Sequence, residues 1–114
     1  MDKIQNQYRN AGLCFYASSF LHVVAIALSG GALFGTFVLP VILWALIGYG
    51  LINRDWRWLA HVGFIGALVG IVVSISTATQ FDGLTRLSVF AITLADLAAA
   101  ILLFGALWRT PVRA

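Results

Sequence analysis

The chain has 114 residues, 61% hydrophobic and only 10% charged, with a mean hydropathy of +0.97. Soluble domains carry about a quarter charged residues, so this composition excludes an ordinary water-soluble fold. The net charge of +3 does not point to nucleic acid either, because the basic residues flank apolar runs and form no stripe.

Those apolar residues fall in long runs, without the alternation a membrane β-barrel needs. About 20 residues of helix cross a hydrocarbon core of roughly 30 Å, and a helix satisfies its own backbone there. The polar start, MDKIQNQYRN, is followed by no small-residue cleavage site, so the first span reads as a retained membrane helix and not as a signal peptide. That span covers residues 11–28 and is broken by Ser29-Gly30-Gly31. Span two covers 32–52, with Pro40 expected to kink or loosen its centre and with Thr36 and Trp44 a turn to either side on one face. A short polar loop, Asn53-Arg54-Asp55-Trp56-Arg57, leads to span three at 58–76. Residues 77–86 form the longest polar connection, and span four runs over 87–108 until Arg109-Thr110-Pro111 ends it. The connections are too short to let a helix skip its neighbour. The expected fold is therefore an all-α membrane protein: residues 1–114 as one domain, a four-transmembrane-helix up-down bundle.

Orientation follows from the basic residues. Lys3, Arg9, Arg54, Arg57, Arg109 and Arg113 fall on the side of the termini and only Arg86 on the other, which the positive-inside rule reads as both termini cytoplasmic. Asp82, one helical turn from Arg86, partly offsets that charge. Trp56, Trp58 and Trp108 fall at the same ends of their spans and read as an aromatic belt. His61, beside Trp56 and Trp58, reads as interfacial.

Asp96 is the one charged residue inside a span. A carboxylate at the bilayer centre costs about 3 kcal/mol on insertion scales, so it must face the bundle interior, find a partner or hold its proton. It is either polar glue between helices or a proton or cation site. By rise per residue His22 lies within about 3 Å of its depth, on a helix that neighbours span four in a simple bundle. Ser18 and Ser19 share the His22 face and Thr93 shares the Asp96 face. Ser18, Ser19, His22, Thr93 and Asp96 are thus expected to form one polar layer, with His22 as the natural partner of Asp96.

Span three carries Gly63, Gly66, Gly70 and Ser74 on one face, with Gly66 and Gly70 in GxxxG spacing that permits close helix approach. The matching face is either the Ala91, Ala95 and Ala98 row of span four or another protein. Haem held by both histidines is rejected, since His22 and His61 differ in depth by more than about 10 Å. The single cysteine, Cys14, supports neither an intrachain disulfide nor a cysteine-pair metal site. No cofactor or metal is expected, and loops this short hold no active-site domain, so an enzyme is not expected.

The length and four spans resemble the small multidrug-resistance transporters, whose first helix carries a membrane-embedded Glu. Here that helix has His22 and no acid, and the chain has no Glu at all, so the defining residue is missing. Two functional expectations stand. One is a non-catalytic accessory or assembly subunit of a larger membrane complex. The alternative is a homo-oligomeric small transporter or proton-linked channel using Asp96 and His22. The expected partners are the lipid bilayer and other membrane subunits or copies of the chain itself, and the compact, loop-poor style suggests a bacterial inner membrane.

Overall fold

A computed structural model describes the backbone of residues 3–54 and 56–109 and the side chains of 5–54 and 56–108. The expectations placed on Asp55, Thr110, Pro111 and Arg113, and on the side chains of Lys3 and Arg109, lie outside the described residues. Four helices follow one another: α1 (Lys3–Leu28), α2 (Phe34–Asn53), α3 (Arg57–Ala78) and α4 (Gly83–Phe104), with a π-helical turn, Gly105–Arg109, continuing the last. All four are long and apolar enough to span a membrane, and together they read as a multi-pass membrane protein.

Two stretches depart most from the sequence-based boundaries, each for a visible reason. Helix α1 begins at Lys3 and not near residue 11. Its first turns pack against the chain's other end: Tyr8 is buried, and the Gln7 amide lies where a side chain on Gly105 would be. Docked this way, the polar N-terminal stretch is held helical. The connection between α3 and α4 shrinks to residues 79–82, so 29–33 is the longest linker among the described residues. Thr77 and Thr79 donate their hydroxyls back to Val73 O and Ser76 O, which carries α3 further than their polarity suggests. Gly83, at φ +64°, turns the chain straight into α4, and Arg86 Nε donates to Ala78 O and Phe81 O. Arg86 also pairs with the exposed Asp82 at 3.4 Å, as their spacing predicts.

The Ser29-Gly30-Gly31 break works through backbone conformation. Both glycines are left-handed, at φ +67° and +91°, a region open to Gly at little cost. This lets Gly31 N–H reach back to Ile26 O at 2.9 Å, satisfying a carbonyl at the end of α1. Ser29 Oγ donates to Ile26 O and accepts from Leu33 N–H. Helix α2 runs unbroken through Pro40.

Helix α1 packs along both α2 and α4, and α3 packs along α4, but α2 and α3 scarcely touch. In cross-section the order is α2, α1, α4, α3, an up-down arrangement with one seam open. Glycines explain the closed seam between α1 and α2. A Cβ on Gly12 would sit 2.8 Å from Gly48 O, and one on Gly48 would sit 2.8 Å from Gly12 O. The open seam has the opposite cause, because the Trp44 indole of α2 stands against Gly66 and Gly70 of α3 and wedges the two helices apart. Expected to meet an alanine row or another protein, the glycine face instead receives this ring, while Gly63 faces Ile47, Phe15 and Leu103.

The apolar core lies in two clusters. One, towards the termini, contains Phe15, Ile47, Leu51, Ala67, Ala99 and Leu103. The other, at the far end, contains Ala25, Leu33, Phe37, Val89 and Ile92. Ser18, Ser19 and His22 of α1, Ser74 of α3 and Asp96 of α4 are buried between the two.

Candidate functional site

The polar layer is built around Asp96, which is fully buried. Its Oδ1 accepts from Ser18 Oγ at 2.7 Å and from Trp44 Nε1 at 3.0 Å, so α1, α2 and α4 meet on one oxygen. Helix α3 enters through Gly70, where any side chain would collide with Asp96 Oδ2. That oxygen has no hydrogen-bond partner and is the one sealed, unbonded side-chain polar atom among the described residues. A buried polar group left unpaired costs about 1–3 kcal/mol, so Oδ2 is the one place in the layer where hydrogen bonding is incomplete among the described residues. Among the described residues no cation pairs with Asp96.

The expected layer of five residues resolves into separate clasps. Ser18, and not His22, bonds Asp96. His22 turns one helical turn back along α1 and donates Nδ1–H to Ser18 O at 2.6 Å. This geometry corrects the expected His22–Asp96 pair: equal depth brought the two near one another, but the shorter serine points at α4 while the imidazole points towards α2. There His22 meets Phe37 and Trp44 edge to face, with ring centroids 4.7 and 6.2 Å apart. Ser19 donates to Val41 O at 2.8 Å, tying α1 to α2. Thr93 does not join Asp96 either. It shares a 2.6 Å hydrogen bond with Ser74, the last member of the glycine row, and so ties α3 to α4.

His61 lies far from this layer, 5.5 Å by centroid from Trp108, in a group with Phe64 and Phe104. Trp56 stacks on Trp58 at 5.5 Å, and both are exposed as belt residues would be.

Two features escaped the sequence. The first is Trp44, the central donor to Asp96. A signal existed: the other three tryptophans sit at span ends, whereas this one is mid-span, where its N–H must find a partner. The second is the tie between Arg57 and the chain's end, where a guanidinium N–H donates to Leu107 O at 2.8 Å. A signal existed here too, since the residue four positions after Leu107 is proline, which has no N–H to offer that carbonyl.

Between α2 and α3 the open seam holds two clefts. One, of about 270 Å³, lies towards the far end and is lined by His22, Phe37, Pro40, Trp44, Gly70 and Val73 among others. The other, of about 540 Å³, lies towards the termini, between Ile47, Tyr49, Trp58 and Val62, with Arg54 at its mouth. Trp44 lines both and divides them. No family model, curated protein or solved structure matches this chain.

Proposed function

We propose that the protein is a non-catalytic subunit that assembles with other membrane proteins, and that Asp96 serves to lock its four helices in register. The observation that carries this reading is the connectivity of Asp96. Both donors to Oδ1 are neutral side chains from other helices, and the acid lies between two apolar clusters with no ionisable group bonded to it. A relay needs a successor for the proton, whereas a helix lock needs only donors from different helices. A buried polar node that specifies register has precedent in helical assemblies. The chain sits as a multi-pass protein of a bacterial inner membrane with both termini cytoplasmic. The six-to-one distribution of basic residues supports that orientation. A reporter fused at Arg54 is then expected inside and one near Phe81 outside, and the reverse result removes the orientation.

A small transporter or proton-linked channel is the second reading, favoured by the unbonded Oδ2 of Asp96 and the adjoining cleft. Asp96→Asn separates the two. Asn keeps an acceptor for Ser18 and Trp44 but carries no ionisable proton. For a helix lock, the variant folds and co-purifies in mild detergent with the same unlike partners as the wild type. A pure homo-oligomer whose ion flux in liposomes vanishes on Asp96→Asn overturns the subunit reading.

A further inference from the structure

We propose that the far cleft between α2 and α3 is a binding site for a lipid-soluble molecule with a ring-sized head and a hydroxyl, the chemistry of a phenol or quinol, whose O–H donates to His22 Nε2. The argument begins with the tautomer. The 2.6 Å contact of Nδ1 with Ser18 O requires N–H on Nδ1, since a carbonyl can only accept. In the neutral imidazole Nε2 is then an acceptor, and it has no partner among the described residues. Nor is Nε2 sealed away, because Asp96 Oδ2 is the only sealed, unbonded side-chain atom among the described residues. His22 is only 4% exposed, and it lines the cleft.

The rest of the cleft selects for a neutral, mostly apolar occupant. Its walls include Phe37, Pro40, Trp44 and Val73. The rim residues Leu39 and Val69 are exposed, at 58% and 56%, on faces that a bilayer would cover, so entry is from the lipid. Size is informative as well. An apolar cavity of about 150 Å³ suffices for benzene, and this one has about 270 Å³. A ring fits with its tail left in the bilayer. A lipid tail alone would fill the walls and leave the Nε2 acceptor unanswered, and a hydroxyl answers it. Asp96 Oδ2 lies behind Gly70, which lines the cleft. The acid is sealed, and the Ser74 hydroxyl is taken up by Ile71 O and Thr93. Of the polar atoms left to the cleft, the exposed Thr36 hydroxyl can donate or accept, whereas His22 Nε2 can only accept, and the ligand it matches is a neutral donor.

The test uses 4-hexylphenol and its methyl ether, 4-hexylanisole, which has the same ring and tail but no donor. Binding is read by partition between nanodiscs holding the full chain and empty nanodiscs, for the wild type and for His22→Phe. The preference of the wild type for the phenol, divided by that of His22→Phe, is expected to lie between about twofold and tenfold, the net worth of one hydrogen bond. Val73→Phe, which fills the cleft from α3 without touching His22, is expected to abolish saturable binding of both compounds. A readout free of any substitution is the ¹⁵N resonance of His22 Nε2, expected to shift with the phenol and not with the ether while His61 stays still. Equal binding of phenol and ether to the wild type means a lipid-tail groove and overturns the proposal. So does an unshifted Nε2, or tighter binding of hexyltrimethylammonium than of the phenol, which would make the acid and not the imidazole the determinant.

Discussion

Helix α2 has two neighbours and treats them in opposite ways. Against α1 it is drawn in until backbone meets backbone at Gly12 and Gly48, and the contact is reinforced by the Ser19 hydroxyl on Val41 O. Against α3 it is held off by one large side chain, and no hydrogen bond between the two helices joins them among the described residues. In a membrane the hydrophobic effect does not drive helices together, because lipid tails are as apolar as leucine. Close approach therefore depends on small residues and polar ties. The α1–α2 seam has both, while on the α2–α3 seam the glycines are spent on accommodating Trp44. The open seam is thus a consequence of putting the donor for Asp96 on a bulky indole, and the clefts beside Trp44 follow from the same choice.

The largest expected effect comes from breaking the closed seam. Gly12→Leu or Gly48→Leu places carbon atoms against the facing backbone carbonyl oxygen, which cannot give way even where the neighbouring Ile52 or Tyr16 side chain can. Each is expected to destabilise the protein by about 3 kcal/mol, the upper range for overpacking, read as loss of unfolding free energy in mixed micelles. Stability within about 0.5 kcal/mol of wild type would mean that α1 and α2 do not approach as described.

A sharper comparison lies within the GxxxG pair. Gly66 and Gly70 look equivalent in sequence, yet a Cβ on Gly66 would lie 3.5 Å from the tip of the Trp44 ring, an ordinary contact, whereas one on Gly70 would run into Asp96 and the same ring. Gly66→Ala is expected to be neutral or slightly stabilising, since Ala favours a helix over Gly by up to about 1 kcal/mol. Gly70→Ala is expected to cost about 1–2 kcal/mol through displaced side chains. Equal effects at the two positions would show that Trp44 is not seated over Gly70.

How much of this was legible in the sequence depends on which physical term decides each feature. Helix number, span order and the breaks at Ser29-Gly30-Gly31 and after Asn53 follow from hydropathy and backbone chemistry, both local. The importance of Asp96 was legible because a carboxyl in an apolar run is costly wherever it points. Its partners were not. Depth along a helix placed Ser18, Ser19, His22 and Thr93 at similar levels, but rotation about each axis decides which of them meets the acid. That rotation is set by packing, here by Gly12 against Gly48 and by the Trp44 wedge. The Ser74–Thr93 bond is hidden for the same reason, because by spacing alone Ser74 belongs to the glycine face and Thr93 to the Asp96 face. The helical N-terminus was hidden because its burial depends on the far end of the chain, at Gly105.

The smallest effects test the polar layer itself, through double-mutant cycles that remove Asp96 together with one neighbour. Asp96→Ala combined with Ser18→Ala is expected to be non-additive by about 0.6 kcal/mol, the average for a hydrogen bond between membrane helices, with about 1.7 kcal/mol as the ceiling. Asp96→Ala combined with Trp44→Phe is expected to show coupling of the same order, since Phe keeps most of the wedge and loses only the N–H. The cycle of Asp96→Ala with His22→Ala is expected to lie closer to additivity than either, because His22 bonds its own helix and not the acid. The ordering of the three couplings matters more than any one of them, because free energies this small are easily shifted by relaxation around an alanine. Should the His22 cycle give the largest coupling, the imidazole and the acid meet directly. The layer would then be a candidate proton path, and the contrast between a closed seam and an open one would have to be redrawn around His22.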